Sequence, residues 1–245
     1  IEICIESGNY TMAIQYCKEN LEIEKTIYGL HHPNYASCLS NLATSYAYSG
    51  NYSMAIQLYK EALEIVKRIY GTEHLEYATI LSNLASNYGN LNNYIMAIQL
   101  GKEAVEIKKR ILGTDNLDYA LSLSNLAEDY HGIGNNVEAM VLGKKAMNIR
   151  KMVLGTEHPD YALSLICVAD YYSAVGNYSE ALLLGTEAME VYKKVLGPVH
   201  PLYATSLSRL ATYYCDLGNY AKALRFGTEA MEIRKETLGT EHPEY

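Results

Sequence analysis

The chain has 245 residues, 49% of them hydrophobic, and its 28 acidic against 20 basic residues give a net charge of −8. That balance repels a phosphate backbone and argues against nucleic acid as a partner. No stretch approaches the 18 consecutive apolar residues of a membrane span.

A period of 42 residues runs through the chain, marked by Gly29, Gly71, Gly113, Gly155, Gly197 and Gly239. A fixed period of this size predicts one array, residues 1–245, in which each repeat buries its apolar face on the next. Residues 1–28 read as a partial repeat: 1–7 match the close of a first helix, and Asn9 opens a second that runs to Gly29. Full repeats follow at 29–70, 71–112, 113–154, 155–196 and 197–238, and 239–245 start a further one.

Within residues 29–70 the apolar spacing marks two helices. Tyr35, Leu39, Leu42, Ala43 and Tyr46 form one stripe, and Tyr52, Ala55, Ile56, Ala62, Leu63 and Ile65 the other. No window alternates with period two, so no strand is expected. Pro33, Pro159, Pro201 and Pro243 stand where a first helical turn begins, and the acidic Glu76, Asp118 and Asp160 suit the dipole there. Gly50, Gly134, Gly176 and Gly218, with Asn92 as the substitute, close the first helices. Asn9, Asn51, Asn93, Asn135, Asn177 and Asn219 cap the second ones, with Glu138 and Glu180 completing capping boxes. The architecture is therefore all-α, a solenoid of antiparallel helix hairpins with helices of about 16 to 18 residues. Alanines at the Ala43 and Ala55 positions suit closely crossed helices, and the Tyr35, Tyr46 and Tyr52 positions hold 16 of the 24 tyrosines, which reads as packing.

The run Leu42, Ala43, Tyr46, Gly50, Tyr52, Ala55 resembles the tetratricopeptide repeat, and the L-G-T-E-H-P-D-Y-A linker from Leu154 to Ala162 makes it similar to the 42-residue form of kinesin light chains. The resemblance implies a right-handed superhelix whose first helices line a concave groove for a partner's peptide or helix. It also implies that Asn41, Asn83 and Asn125 face that groove and bond the peptide backbone; Cys167 and Arg209 replace the asparagine in the last two full repeats. Binding of acidic peptides needs several cations on the first helices, and only Arg209 is present there. The lining is instead polar and somewhat acidic: Ser40, Ser82, Ser124, Ser208, Thr44, Glu128, Asp170, Thr212 and Asp216.

Several residues invite sharper readings. His32, His74, His158, His200 and His242 recur once per repeat, but helix packing holds equivalent atoms about 10 Å apart, whereas zinc ligands reach within about 2 Å of one ion. They are expected to hold the turn into the first helix, and no metal or cofactor is expected. His131, near Glu128 and Asp170, reads as part of a solvated polar face. No nucleophile elbow or phosphate loop occurs, so no catalytic residue is assigned. Gly101, Gly143, Gly185 and Gly227 recur inside second helices at a cost of about 1 kcal/mol each relative to alanine; a tyrosine ring or helix is expected against their backbone. Tyr171 and Tyr213, where other repeats carry Ser45, Asn87 and Asp129, are either groove anchors with Arg209 or fillers between helices. Cys4, Cys17, Cys38, Cys167 and Cys215, odd in number and without a C-x-x-C spacing, read as buried free thiols of a reducing, cytoplasmic setting.

The leading functional expectation is a non-catalytic scaffold that grips a peptide or helix of another protein. The competing one is the sensor region of a larger enzyme or signalling protein. Apolar ends such as Ile1, Ile3 and Ile5 also suggest end-to-end association of two copies.

Overall fold

A computed structural model describes residues 9–238. Eleven α-helices and no strand occur among them: α1 (Tyr10–Tyr28), α2 (Pro33–Tyr48), α3 (Tyr52–Tyr70), α4 (Leu75–Asn90), α5 (Tyr94–Leu112), α6 (Leu117–Gly132), α7 (Asn136–Leu154), α8 (Pro159–Ala174), α9 (Tyr178–Leu196), α10 (Pro201–Asp216) and α11 (Tyr220–Leu238). The first helices of the repeats (α2, α4, α6, α8, α10) have 16 residues. The second helices have 19, slightly longer than expected. The chain forms two compact halves that divide between Gly113 and Thr114. Within each half, every helix packs on the next in sequence, as an all-α repeat solenoid requires.

The histidines before the first helices are N-caps. Nδ1 of His32, His74, His158 and His200 accepts the backbone N–H of Asn34, Glu76, Asp160 and Leu202 at 3.1 to 3.2 Å. Asn116 does the same work with Oδ1, accepting from Asp118 and Tyr119. The rings of Tyr28 and Tyr70 stack on His32 and His74 with centroids 4.4 and 4.3 Å apart. His74→Ala is expected to lower stability by about 1 kcal/mol, while His74→Asn stays within a few tenths of the parent, both read from denaturant midpoints. His242 and Pro243 lie outside the described residues.

Each hairpin turn within a repeat is closed by a residue in the left-handed region, Gly50 at φ 81° and Asn92 at φ 58° among them. The N–H of Gly50 bonds Ala47 O and that of Asn51 bonds Tyr46 O, the paired bonds of a Schellman turn. Asn93, Asn135, Asn177 and Asn219 repeat the second bond to Tyr88, Tyr130, Tyr172 and Tyr214. All these asparagines, and Asn9, accept the N–H three residues on with Oδ1. The capping boxes expected at Glu138 and Glu180 are corrected by this geometry. The backbone N–H that each glutamate would reach back to is already bonded to the preceding helix.

Side-chain bonds then tie the helices of a repeat together. The hydroxyls of Tyr35, Tyr77, Tyr161 and Tyr203 donate to Glu61, Glu103, Glu187 and Glu229, each 26 residues on. Between repeats, Lys18, Lys60 and Lys144 set their ammonium groups over the rings of Tyr46, Tyr88 and Tyr172 at 5.7, 5.5 and 4.7 Å.

A further contact resolves two oddities of the sequence at once. A Cβ built on Gly143 would lie 2.9 Å from Tyr171 Cε2, and one on Gly185 would lie 3.0 Å from Tyr213 Cε2. The missing side chains thus leave the space that tyrosines 28 residues later occupy. Where the second helix instead carries Tyr59, the matching first-helix residue is the smaller Asn87. Cys17 with Ser45, whose sulfur and oxygen are 3.4 Å apart, is a third solution to the same contact. Tyr171 and Tyr213 are 3% and 1% exposed, so of the two alternatives the burial supports fillers between helices and not groove anchors. Gly227 differs, since its Cβ would meet only Ala211 Cβ at 3.9 Å. The expectation of buried thiols holds for Cys17 and Cys38 but not for Cys215, which is exposed, and Cys167 is partly so. Cys4 and the apolar residues Ile1, Ile3 and Ile5 lie outside the described residues.

Candidate functional site: cavities between consecutive first helices

In the amino-terminal half, a cavity of about 400 Å³ opens between α2 and α4. Thr44, Ala47 and Tyr48 of α2, Tyr52 and Tyr59 of α3, and Asn83, Ser86, Asn87 and Asn90 of α4 line it, and none carries a charge. Thr44 donates its hydroxyl proton to Ser40 O and so accepts from the Tyr59 hydroxyl, 2.7 Å away. Tyr59 is also bonded by the Asn83 side chain. Asn87 turns its amide nitrogen back onto Asn83 O at 2.8 Å.

The carboxy-terminal half has a cavity of about 270 Å³ of a different character. Glu128, His131, Cys167, Asp170 and Arg209 line it together with Leu163, Ile166 and Leu202. Asp170 accepts the Tyr213 hydroxyl proton at 2.6 Å and lies 3.6 Å from Arg209 Nε. Desolvation raises the Asp170 carboxyl above its ordinary range, against the Tyr213 bond and the Arg209 charge. Desolvation also raises Glu128, opposed by Arg150 and His131. The Cys167 thiol is pushed up to about 12, first by burial and then by Glu128 and Asp170, which disfavours its thiolate form. His131 tilts against the Tyr171 ring at 5.2 Å and is bonded to Asn136.

The expected groove residues are placed unevenly. Asn41, Glu128 and Arg209 are exposed, and Asn83, Asn125, Ser124 and Asp170 are half-buried. Ser82 is buried with its hydroxyl on Ala78 O, which withdraws it as a contact residue. Glu128, Asp170, Tyr171 and Arg209 meet in the second cavity; Asn83 meets Thr44 in the first; Asn41 and Asn125 line neither.

Three contributors escape a reading of the repeat alone. Arg150 is only 8% exposed and donates to Ser124 and Ser164 at 2.9 and 2.6 Å. Asp129 is 6% exposed, and burial, then the Glu128 charge, pushes its carboxyl up to about 7. Asn87 completes the first cavity. Asp129 and Asn87 depart from their counterparts 42 residues away, and that departure was the available signal; Arg150 has a buried basic counterpart in Lys108. Among the described residues no three of His, Cys, Asp or Glu gather as a metal site. No described helix is long and apolar enough to cross a membrane.

The sequence profile of the tetratricopeptide repeat matches residues 1–68, 41–110, 76–152 and 118–194, and a second profile of the same repeat matches 204–244. Among solved structures, the nearly identical TPR-like repeats of a Podospora anserina kinesin light chain are similar, with 25% identity, TM-score 0.73, and coverage of 84% of this chain and 98% of that one. BtubC (BKLC) from P. vanneervenii has TM-score 0.77 at 17% identity, covering 96% of this chain and 94% of its own. A Rap protein complexed with Competence and Sporulation Factor has TM-score 0.67 at 14% identity, covering 93% and 65%. The likeness to the last two is one of fold alone. No curated protein matches the chain.

Proposed function

Because the chain belongs to the tetratricopeptide-repeat family, whose arrays generally mediate protein–protein interaction, we propose that it is a scaffold holding a peptide or helical segment of a partner along its first helices. One observation carries this reading: in each half a cavity opens between consecutive first helices, and residues that depart from the repeat, Asn87 in one and Cys167 and Arg209 in the other, are among those that line it. Asn41, Asn83 and Asn125 supply amides for a partner backbone, and Arg209 with Asp170 and Glu128 supplies charge at one end. The Rap protein held in complex with Competence and Sporulation Factor is a precedent for ligand capture by this fold.

Photo-crosslinkers at Asn41, Asn83 and Asn125 test the proposal against crosslinkers at Ile95 and Val137, which are exposed on second helices. Capture of one partner from the first-helix positions, with about ten-fold weaker retention by an Asn83→Ala, Asn125→Ala, Arg209→Ala chain, is the expected result. Equal capture from Ile95 and Val137, or undiminished retention, would sink it.

A further inference from the structure

We propose that the cavity of the carboxy-terminal half, bordered by α6, α8 and α10, is a subsite for an arginine side chain of the segment the scaffold holds. The proposal rests on the scaffold reading and adds to it which side chain this half selects.

The chain itself shows what the cavity lacks. One repeat on, Asp170 holds two partners from α10: it accepts the Tyr213 hydroxyl proton at 2.6 Å and lies 3.6 Å from Arg209 Nε. The residues 42 positions before Asp170, Tyr213 and Arg209 are Glu128, Tyr171 and Cys167, and all three line the cavity. Cys167 stands where Arg209 does, so the cation is missing and its space is open. The Tyr171 hydroxyl makes no counterpart of the Tyr213 bond, and the Glu128 charge acts on it through space alone. Tyr171 is 3% exposed. The described side-chain atoms that are sealed from water without a bond belong to Glu24, Ser40 and Asn87, so the Tyr171 hydroxyl keeps accessible surface. A hydroxyl and a carboxylate, both short of a partner, thus share one cavity.

The surroundings decide which partner fits. Leu163 and Leu202, which are exposed, and the buried Ile166 suit a long aliphatic stem. An acidic side chain would face Glu128 and Asp170 and reach only an Arg209 that Asp170 already holds. An apolar one would cover Glu128 and the Tyr171 hydroxyl without pairing either. A guanidinium gives one N–H to Glu128 and another to Tyr171 Oη, and brings the charge that Arg209 supplies to Asp170. Its planar fork serves two acceptors at once, which the compact ammonium of a lysine does less well. The chain's other cations are engaged: Arg209 with Asp170, and Arg150 with Ser124, Ser164 and the field of Asp160.

The test titrates the intact, nitrogen-15-labelled chain with N-acetyl-arginine methylamide, and in parallel with the citrulline and glutamate derivatives of the same form. Citrulline keeps the shape of arginine without the charge. The arginine derivative is expected to shift the backbone amide signals of Glu128, Cys167 and Tyr171 saturably, with the other two at least about ten-fold weaker. Glu128→Gln, at an exposed side chain, is expected to weaken the response about ten-fold and to leave the thermal midpoint in place. Cys167→Arg supplies from within the chain the cation that Asp170 already has, and is expected to abolish the response by filling the cavity. Should that variant lose its fold, Glu128→Gln decides alone. A citrulline or glutamate response as strong as that of arginine, an undiminished response in Glu128→Gln or in folded Cys167→Arg, or no saturable response to any derivative overturns the proposal. Because the probes are single residues, these results leave the scaffold reading to its own crosslinking test.

Discussion

Gly185→Tyr is expected to lower the thermal midpoint by about 10 °C, the equivalent of ~3 kcal/mol in a chain of this length. A Cβ alone at that position comes within 3.0 Å of Tyr213 Cε2 and 3.1 Å of Leu210 Cδ2. A whole tyrosine must expel a ring that is 1% exposed. The change also replaces a glycine inside a helix, which by itself favours folding by a few tenths of a kcal/mol; overpacking wins because the neighbouring helix has no free volume to give. Adding Tyr213→Asn is expected to restore most of the midpoint, since the double variant rebuilds the Tyr59 and Asn87 pair of the amino-terminal half. Gly227→Tyr, at the same place in a repeat but with open space beside it, is expected to leave the midpoint unchanged or slightly raised. Equal losses at Gly185 and Gly227, or no rescue by Tyr213→Asn, would show that the two residues do not share one space.

Asp129→Asn is expected to stabilise the chain by about 4 kcal/mol at pH 8 and to have little effect near pH 4. The sign follows from where the carboxyl titrates. In the unfolded chain it ionises near its ordinary value of 3.8, whereas in the folded chain burial and Glu128 hold it protonated up to about 7. Below the lower value both states carry the proton and the residue is neutral to stability. As pH rises between the two values the unfolded state sheds its proton first, so stability falls, and above pH 7 the folded chain bears a desolvated charge. Asparagine keeps the shape without the charge, and Asn87 at the matching position shows that the fold accepts it. Denaturant midpoints of parent and variant from pH 4 to 8 are the measurement; parallel curves across that range would mean that Asp129 is hydrated in the folded state.

Much of the fold was open to inspection in the sequence, because the signals that set helix ends are local. Proline at a first turn, histidine or asparagine at a cap, and glycine in the left-handed region act within five residues of themselves. The capping boxes failed for an equally local reason: the hairpin turn is so tight that the cap N–H is taken by the helix before it. The site was less open. Gly143, Gly185, Tyr171 and Tyr213 were each visible as anomalies, yet Tyr171 and Tyr213 could be groove anchors or fillers between helices until the 28-residue offset paired them with the glycines. Asn87 and Asp129 stand at the same place in their repeats as those tyrosines and looked like interchangeable small polar residues. Ser82 likewise looked like a groove hydroxyl and proved to be bonded to its own helix.

The amino-acid sequence by itself determined that this chain is a stack of paired helices, where each helix begins and ends, and which face of each is apolar. Those outcomes depend on backbone conformation and on side-chain periodicity, both of which act over a few residues. Only the tertiary structure decided which polar side chains lost their water and whether each found a partner in exchange. Asn87 without a donor, Asp129 with its carboxyl held neutral, and Arg150 between two serine hydroxyls differ through neighbours brought in from other helices. Desolvation is set by everything within a few ångströms, and that set is assembled only when the repeats pack.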